Sequence, residues 1–172
     1  MKGNYMNRVA LYLTSSLAIV LAACGGPHEE HGGHHEGPED EACDHMIDGP
    51  GLAATAIADM TADAPDTGEH SVRWDVALAA GAGGMHSGYV DLVVEEAGIT
   101  DLYLDVDVPV KVWNASGGEV TVHHAQTTFT QCTEVSVGLG YQLGVGTYLV
   151  GFGPTTEEAV SMVVVLEGEH AD

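Results

Sequence analysis

The stretch Thr100–Trp113, "TDLYLDVDVPVKVW", alternates in polarity at every second residue. Leu102, Leu104, Val106, Val108, Val110 and Val112 fall on one parity, and Asp101, Asp105, Asp107 and Lys111 fall on the other. Side chains along a strand point alternately to its two faces, so the stretch reads as one strand with an inward apolar face and an outward acidic face. Pro109 has no N–H to give to a ladder, which predicts a sheet edge or a bulge at that point.

The same period continues on both sides. Val72, Trp74, Val76 and Leu78 share a face against Ser71, Arg73 and Asp75, and Val90, Leu92 and Val94 repeat the pattern after the turn "AGAGGMHSG" (Ala80–Gly88). "NASGG" (Asn114–Gly118) has the composition of a hairpin turn and leads into Val120 and Val122. Val135, Val137, Leu139, Tyr141 and Leu143 form another alternating set, as do Tyr148, Val150 and Phe152; "PTTEE" then turns the chain into Val160, Met162, Val164 and Leu166. Upstream, "EACDHMIDGP" (Glu41–Pro50) reads as a helical turn or irregular segment docked by Cys43, and the Ala-rich "GLAATAIADM" is ambiguous. About seven to eight short strands without an amphipathic helix predict an all-β fold over residues 43–172, an antiparallel β-sandwich of jelly-roll-like or Ig-like type.

With those segments in place, "EEAGITDLYLDVDVPVKVWNASGGEV" (Glu95–Val120) and "GVGTYLVGFGPTTEEAVSMVVVL" (Gly144–Leu166) resemble the pre-peptidase C-terminal domains of secreted bacterial proteins. The resemblance covers roughly residues 70–167 and implies a jelly-roll-like sandwich that accompanies extracellular enzymes. Here the domain stands without a catalytic partner, so the likeness bears on fold and not on activity.

The amino end carries a different signal. Lys2 and Arg8 precede an uncharged apolar run, Val9–Ala23, which is the layout of an export signal. As a helix this run spans roughly 22 Å at about 1.5 Å per residue, short of the roughly 30 Å needed to cross a bilayer core. "LAAC" (Leu21, Ala22, Ala23, Cys24) resembles the lipobox of bacterial lipoproteins. The resemblance implies cleavage of residues 1–23 and acylation of Cys24, with a second or third chain needed for stable anchorage. Gly25, where enterobacterial sorting would otherwise read Asp, favours the outer membrane. The expected location is the bacterial cell envelope on its extracytoplasmic side.

Residues 24–42 are rich in Gly, Pro, His and acid, with almost no apolar side chains to offset the entropy of ordering, and are expected to be a disordered tether. All 26 acids follow Cys24, and only Arg73 and Lys111 oppose them, so two cations against 26 anions leave a net charge of −24 on that part of the chain. Such a surface repels nucleic acid and anionic headgroups and attracts cations. Solubility is the plainest use of the charge.

Of three cysteines, Cys24 is assigned to lipid, which leaves Cys43 and Cys132 as an even pair for a disulfide in an oxidising compartment. The alternative is that one or both bind metal as thiolates. In "HEEHGGHHE", His28, His31, His34 and His35 sit on a backbone made pliable by Gly32 and Gly33, and His45 lies near Cys43. A pliable chain can wrap imidazoles around Zn2+, Ni2+ or Cu2+ without a prebuilt cavity, as in His-rich tracts of bacterial zinc- and nickel-handling proteins, which the segment resembles. The competing reading is a solvated spacer. A calcium site from Asp91, Asp101, Asp105 and Asp107 is a lesser candidate, because Ca2+ needs several oxygens but the Asp-rich loop spacing is absent. Met85 with His86, and Met46 with His45, are weak copper candidates, Met being more often core filling. His123 and His124 are adjacent and so expected on opposite faces of a strand, with His124 turned inward. No nucleophile elbow, phosphate loop, dinucleotide fingerprint or His-Glu-x-x-His motif occurs, and a non-enzymatic protein is expected. The expected function is metal capture by the tether; the alternative is a sandwich that contacts a protein or glycan, with the tether setting reach.

Overall fold

A computed structural model describes residues 37–130 and 132–167. In chain order these are α1 (Pro38–Asp48), β1 (Gly51–Thr55), β2 (Arg73–Ala77), β3 (Ala79–Ala80), β4 (His86–Val94), β5 (Gly98–Leu104), β6 (Val110–Asn114), β7 (Glu119–Val120), β8 (His124–Gln126), β9 (Val137–Leu143), β10 (Gly146–Thr155) and β11 (Ala159–Glu167). The strands form two sheets, one of six strands in the order β1-β2-β11-β5-β9-β8 and one of five in the order β3-β4-β10-β6-β7. This is the expected all-β sandwich. The strand number exceeds expectation because β3, β7 and β8 are only two or three residues long. Every pairing is antiparallel except β1 with β2, which run parallel.

The stretch that announced the fold is two strands, not one. Leu102 and Leu104 belong to β5 in the six-stranded sheet, and Val110 and Val112 to β6 in the five-stranded sheet. Residues 105–109 carry the chain from one sheet to the other. Pro109 sits in this crossing, where its missing N–H costs no ladder bond and its carbonyl accepts from Gly153 N–H at 2.8 Å. Asp105 holds the crossing to β11: its Oδ1 accepts from Ser161 N–H at 2.8 Å and its own N–H donates to Ser161 O at 3.1 Å. Inward parity survives the break because both segments aim at the shared core, in which Val90, Leu92, Leu102, Leu104, Val112, Val150, Met162 and Val164 are all fully buried. Turn chemistry is local. Asn114 Oδ1 accepts from the N–H groups of Ser116 and Gly118, and Gly117 takes φ +80°, closing the β6–β7 hairpin.

A second apolar layer lies on the outer face of the six-stranded sheet. Val163 and Val165 of β11, the parity expected to face water, are buried against Ala42 and Met46 of α1, Tyr103, Cys132 and Val135. The unbroken run "VVVL" (Val163–Leu166) is the signature of such a strand, covered on both faces. α1 forms because Pro38 occupies its first turn, Glu39, Asp40 and Glu41 face the positive end of the helix dipole and His45 the negative end. Ala42 and Met46, four residues apart, share its buried face. Residues 38–42, expected in the tether, are thus helical. Cys43 and Cys132 form a disulfide with their Cα atoms 5.7 Å apart, bolting α1 to the segment before β9. Arg73 of β2 adds a polar tie, its Nη1 donating to Met46 O at 3.0 Å. The remaining β4 margin is covered by the segment before β2, through bridges of Ile57 to Tyr89 and Asp66 to Asp91.

Candidate metal centre

The sequence "VGLGYQL" of β9 places Val137, Leu139, Tyr141 and Leu143 on the core face and two glycines, Gly138 and Gly140, on the outer face. Two side chains from neighbouring strands use the lane those glycines leave. Tyr103 lies over Gly138, where an added Cβ would come within 2.9 Å of its ring. At Gly140 an added Cβ would strike the His124 imidazole and approach Asp101 Oδ1 to 2.6 Å. In register, Gly140 is the partner of Asp101 on β5 and of His124 on β8, so the three form one row across the sheet. With strands about 4.8 Å apart, His124 can reach Asp101 across β9 only because the residue between them has no side chain.

The result is a relay of polar atoms from the protein interior to its surface. Asp101 is 1% exposed, and its Oδ1 lies 2.9 Å from Nε2 of His124, whose side chain is 41% exposed. On the other side of that ring, His124 Nδ1 lies 3.3 Å from His123 Nδ1, with the two rings nearly perpendicular at 81°. His123 is exposed. It precedes β8 and lies in a bend, with its N–H donating to Gly140 O at 2.8 Å, so strand alternation does not separate the two rings. The expectation that the adjacent histidines diverge is therefore corrected, as is the inward orientation of His124; the rings converge on the outer face. Asp101 was expected in water and is on the predicted outward face, but that face is covered. A carboxylate 2.9 Å from Nε2 favours the tautomer protonated there, the one that leaves the Nδ1 lone pair for another partner.

On the core side of the same strand, Tyr141 is buried opposite Thr100, and neither hydroxyl has a hydrogen-bond partner among the described residues. Burial, with a smaller contribution from the charge of Glu119, pushes the Tyr141 phenol up to about 12. Elsewhere, Asp91 on β4 has its carboxyl raised by burial and by the charges of Asp66 and Asp63.

The other expected sites fare differently. Cys24, His28, His31, His34 and His35 lie outside the described residues. His45 is half-buried in the last turn of α1, and Cys43, two residues away, is in the disulfide. The only trio of His, Cys, Asp or Glu ligand atoms within 4.8 Å of one another among the described residues is Cys43, Cys132 and Glu134, and its sulfurs are bonded to each other. The acids of the calcium candidate do not gather: Asp91 is in the five-stranded sheet, Asp101 in the six-stranded sheet, and Asp105 is committed to the β11 backbone. A groove of about 270 Å3 on the five-stranded sheet is flanked by Met60, Trp113 and Tyr148. Tyr89 and Trp113 meet beside it, ring centroids 5.9 Å apart, over Gly151. Among the described residues no helix is long and apolar enough to cross a membrane. No family model and no curated relative matches the chain.

Proposed function

We propose that this chain is a lipid-anchored protein of the bacterial cell envelope, exposed outside the cytoplasm, that captures a divalent transition-metal ion without performing chemistry on it. His28, His31, His34 and His35 are the ligands, carried on a tether that starts at acylated Cys24. The observation that carries this reading is the tract itself: four imidazoles within eight residues, spaced by Gly32 and Gly33, in a chain whose acids outnumber its bases by 26 to 4. The Cys43–Cys132 bond supports an oxidising compartment, since disulfides are rare where thiols are kept reduced. Zn2+ is the ion against which the reading is tested, with Ni2+ and Cu2+ compared. Calorimetric titration of ZnCl2 into the full chain in detergent, and into the H28A/H31A/H34A/H35A variant, should show at least one ion fewer in the variant. Equal stoichiometry in the two would end the reading.

A second reading has its own observation. The groove beside Trp113 and Tyr148 offers flat aromatic faces next to Asn114, the pairing of apolar and hydrogen-bonding groups that suits a glycan. In this reading the tether only sets reach. Tryptophan emission that shifts on titration with oligosaccharides, and no longer does so in W113A, is its test; an unresponsive spectrum across envelope glycans would discard it.

A further inference from the structure

We propose that the sandwich itself carries a second metal site, in which the Nδ1 atoms of His123 and His124 hold one divalent ion of the Zn2+ or Cu2+ class and Asp101 orients His124 from behind. The geometry is that of two ligands already in place. Zinc–imidazole bonds are 2.0–2.1 Å long, so two nitrogens 3.3 Å apart subtend about 107° at a shared ion, close to the tetrahedral angle. The two nitrogens face each other from nearly perpendicular rings, and both rings stand on the exposed outer surface, where water can supply the remaining positions.

Three features argue for a built site over a chance meeting of exposed side chains. First, Asp101 is an acid almost wholly withdrawn from water at a position whose register partner is glycine, and its Oδ1 lies 2.9 Å from the non-ligating nitrogen of His124. A carboxylate behind a histidine sets its tautomer and raises its basicity, the usual outer partner of a metal-bound imidazole. Second, Gly140 is required for that reach, since any side chain there would displace the His124 ring. Third, the backbone under both histidines is fixed, His123 by its bond to Gly140 O and His124 by its place in β8. Little ordering entropy remains to oppose binding, in contrast to a pliable tether. The site goes beyond the tether reading and does not depend on it.

The experiment uses the full chain in detergent with the four tether histidines replaced (H28A/H31A/H34A/H35A), titrated with ZnCl2 under excess MgCl2 to mask the general acidity, and with CuCl2 monitored by electron paramagnetic resonance. One ion per chain is expected, with nitrogen hyperfine structure in the copper spectrum. Adding H123A and H124A should abolish it, D101N should weaken it about 10- to 100-fold, and H45A should leave it unchanged. His123 is exposed, so H123A tests the ligand without disturbing the core; G140A, monitored by near-ultraviolet dichroism, tests the lane separately. Absence of uptake in the tether variant, or uptake indifferent to H123A and H124A, would overturn the proposal. In the chain with its tether histidines intact, uptake that H123A and H124A abolish while the four tether substitutions leave it unchanged would instead remove the tether reading, so the two fail independently.

Discussion

Breaking the Cys43–Cys132 bond should cost this protein about as much as truncating one of its large core side chains. The cysteines are 89 positions apart, and the loop between them holds β1 through β8. In the chain-entropy model, closing a loop of that length removes about 4.6 kcal/mol of freedom from the denatured state at 25 °C. A body on the order of 130 residues has an unfolding entropy near 0.27 kcal/mol/K, so the melting temperature should fall by roughly 17 °C. The assay is thermal unfolding by circular dichroism of the C24A variant, oxidised and reduced, alongside C24A/C43S/C132S, so that no third thiol can exchange. α1 adds a second readout, because its contact with β11 depends on Ala42 and Met46 as well as on the bond. A drop of less than about 3 °C would refute the reasoning: the denatured chain would then be no freer without the crosslink than with it.

Three further outcomes follow from the polar geometry. R73A removes the guanidinium that binds Met46 O; a loss of about 1–2 kcal/mol in denaturant unfolding is expected, R73K should recover only part, and an unchanged midpoint would show that α1 holds without it. Asp91 has its carboxyl raised, so it destabilises the fold when charged and that penalty vanishes as pH falls below its ordinary range. D91N should therefore raise the melting temperature at pH 7, with the gain shrinking toward pH 3; a gain that persists there would assign the effect to packing. Tyr141, with its phenol near 12 in the fold and an ordinary value of 10.0, resists ionisation when buried, so it costs the fold nothing through titration below pH 10 and lowers stability progressively as pH climbs toward 12. Y141F should be near neutral at pH 7 and flatten the stability profile between those limits, and an unaltered alkaline profile would count against it.

How far the chain could be read depended on what alternation reports. It reports which parity points to the core, and at Val90, Leu92, Leu102, Leu104 and Val112 that was legible, because the period survives the passage between sheets. It does not report whether the opposite parity meets water. Asp101, Tyr103, Val163 and Val165 all lie on the outward parity and are all buried, covered by α1 or by the row through Gly138 and Gly140. Nor does alternation report a crossing made of strand-like residues: Asp105–Pro109 keeps the period while changing sheets, and only Pro109 hinted at it. The two-histidine pair was hidden for a related reason, since adjacent residues diverge in a strand and converge only at a bend. Its trace in the sequence is the Gly-x-Gly of β9 at strand spacing, which signals outer-face room for someone else's ring.

The bond between α1 and Cys132 also decides how the body responds when pulled. Tension arriving along the chain ahead of Pro38 runs down the first turns of α1 to Cys43, and the covalent bridge hands it to Cys132. The strands between the two sulfurs are bypassed by the load path. Only the segment from Cys132 onward, anchored by β9, β10 and β11, each flanked by a strand on both sides, resists it. A stretched molecule should therefore lengthen by some 90 residues less when oxidised than when reduced, and the state of this one cysteine pair would set how far the body can be drawn out before it gives way.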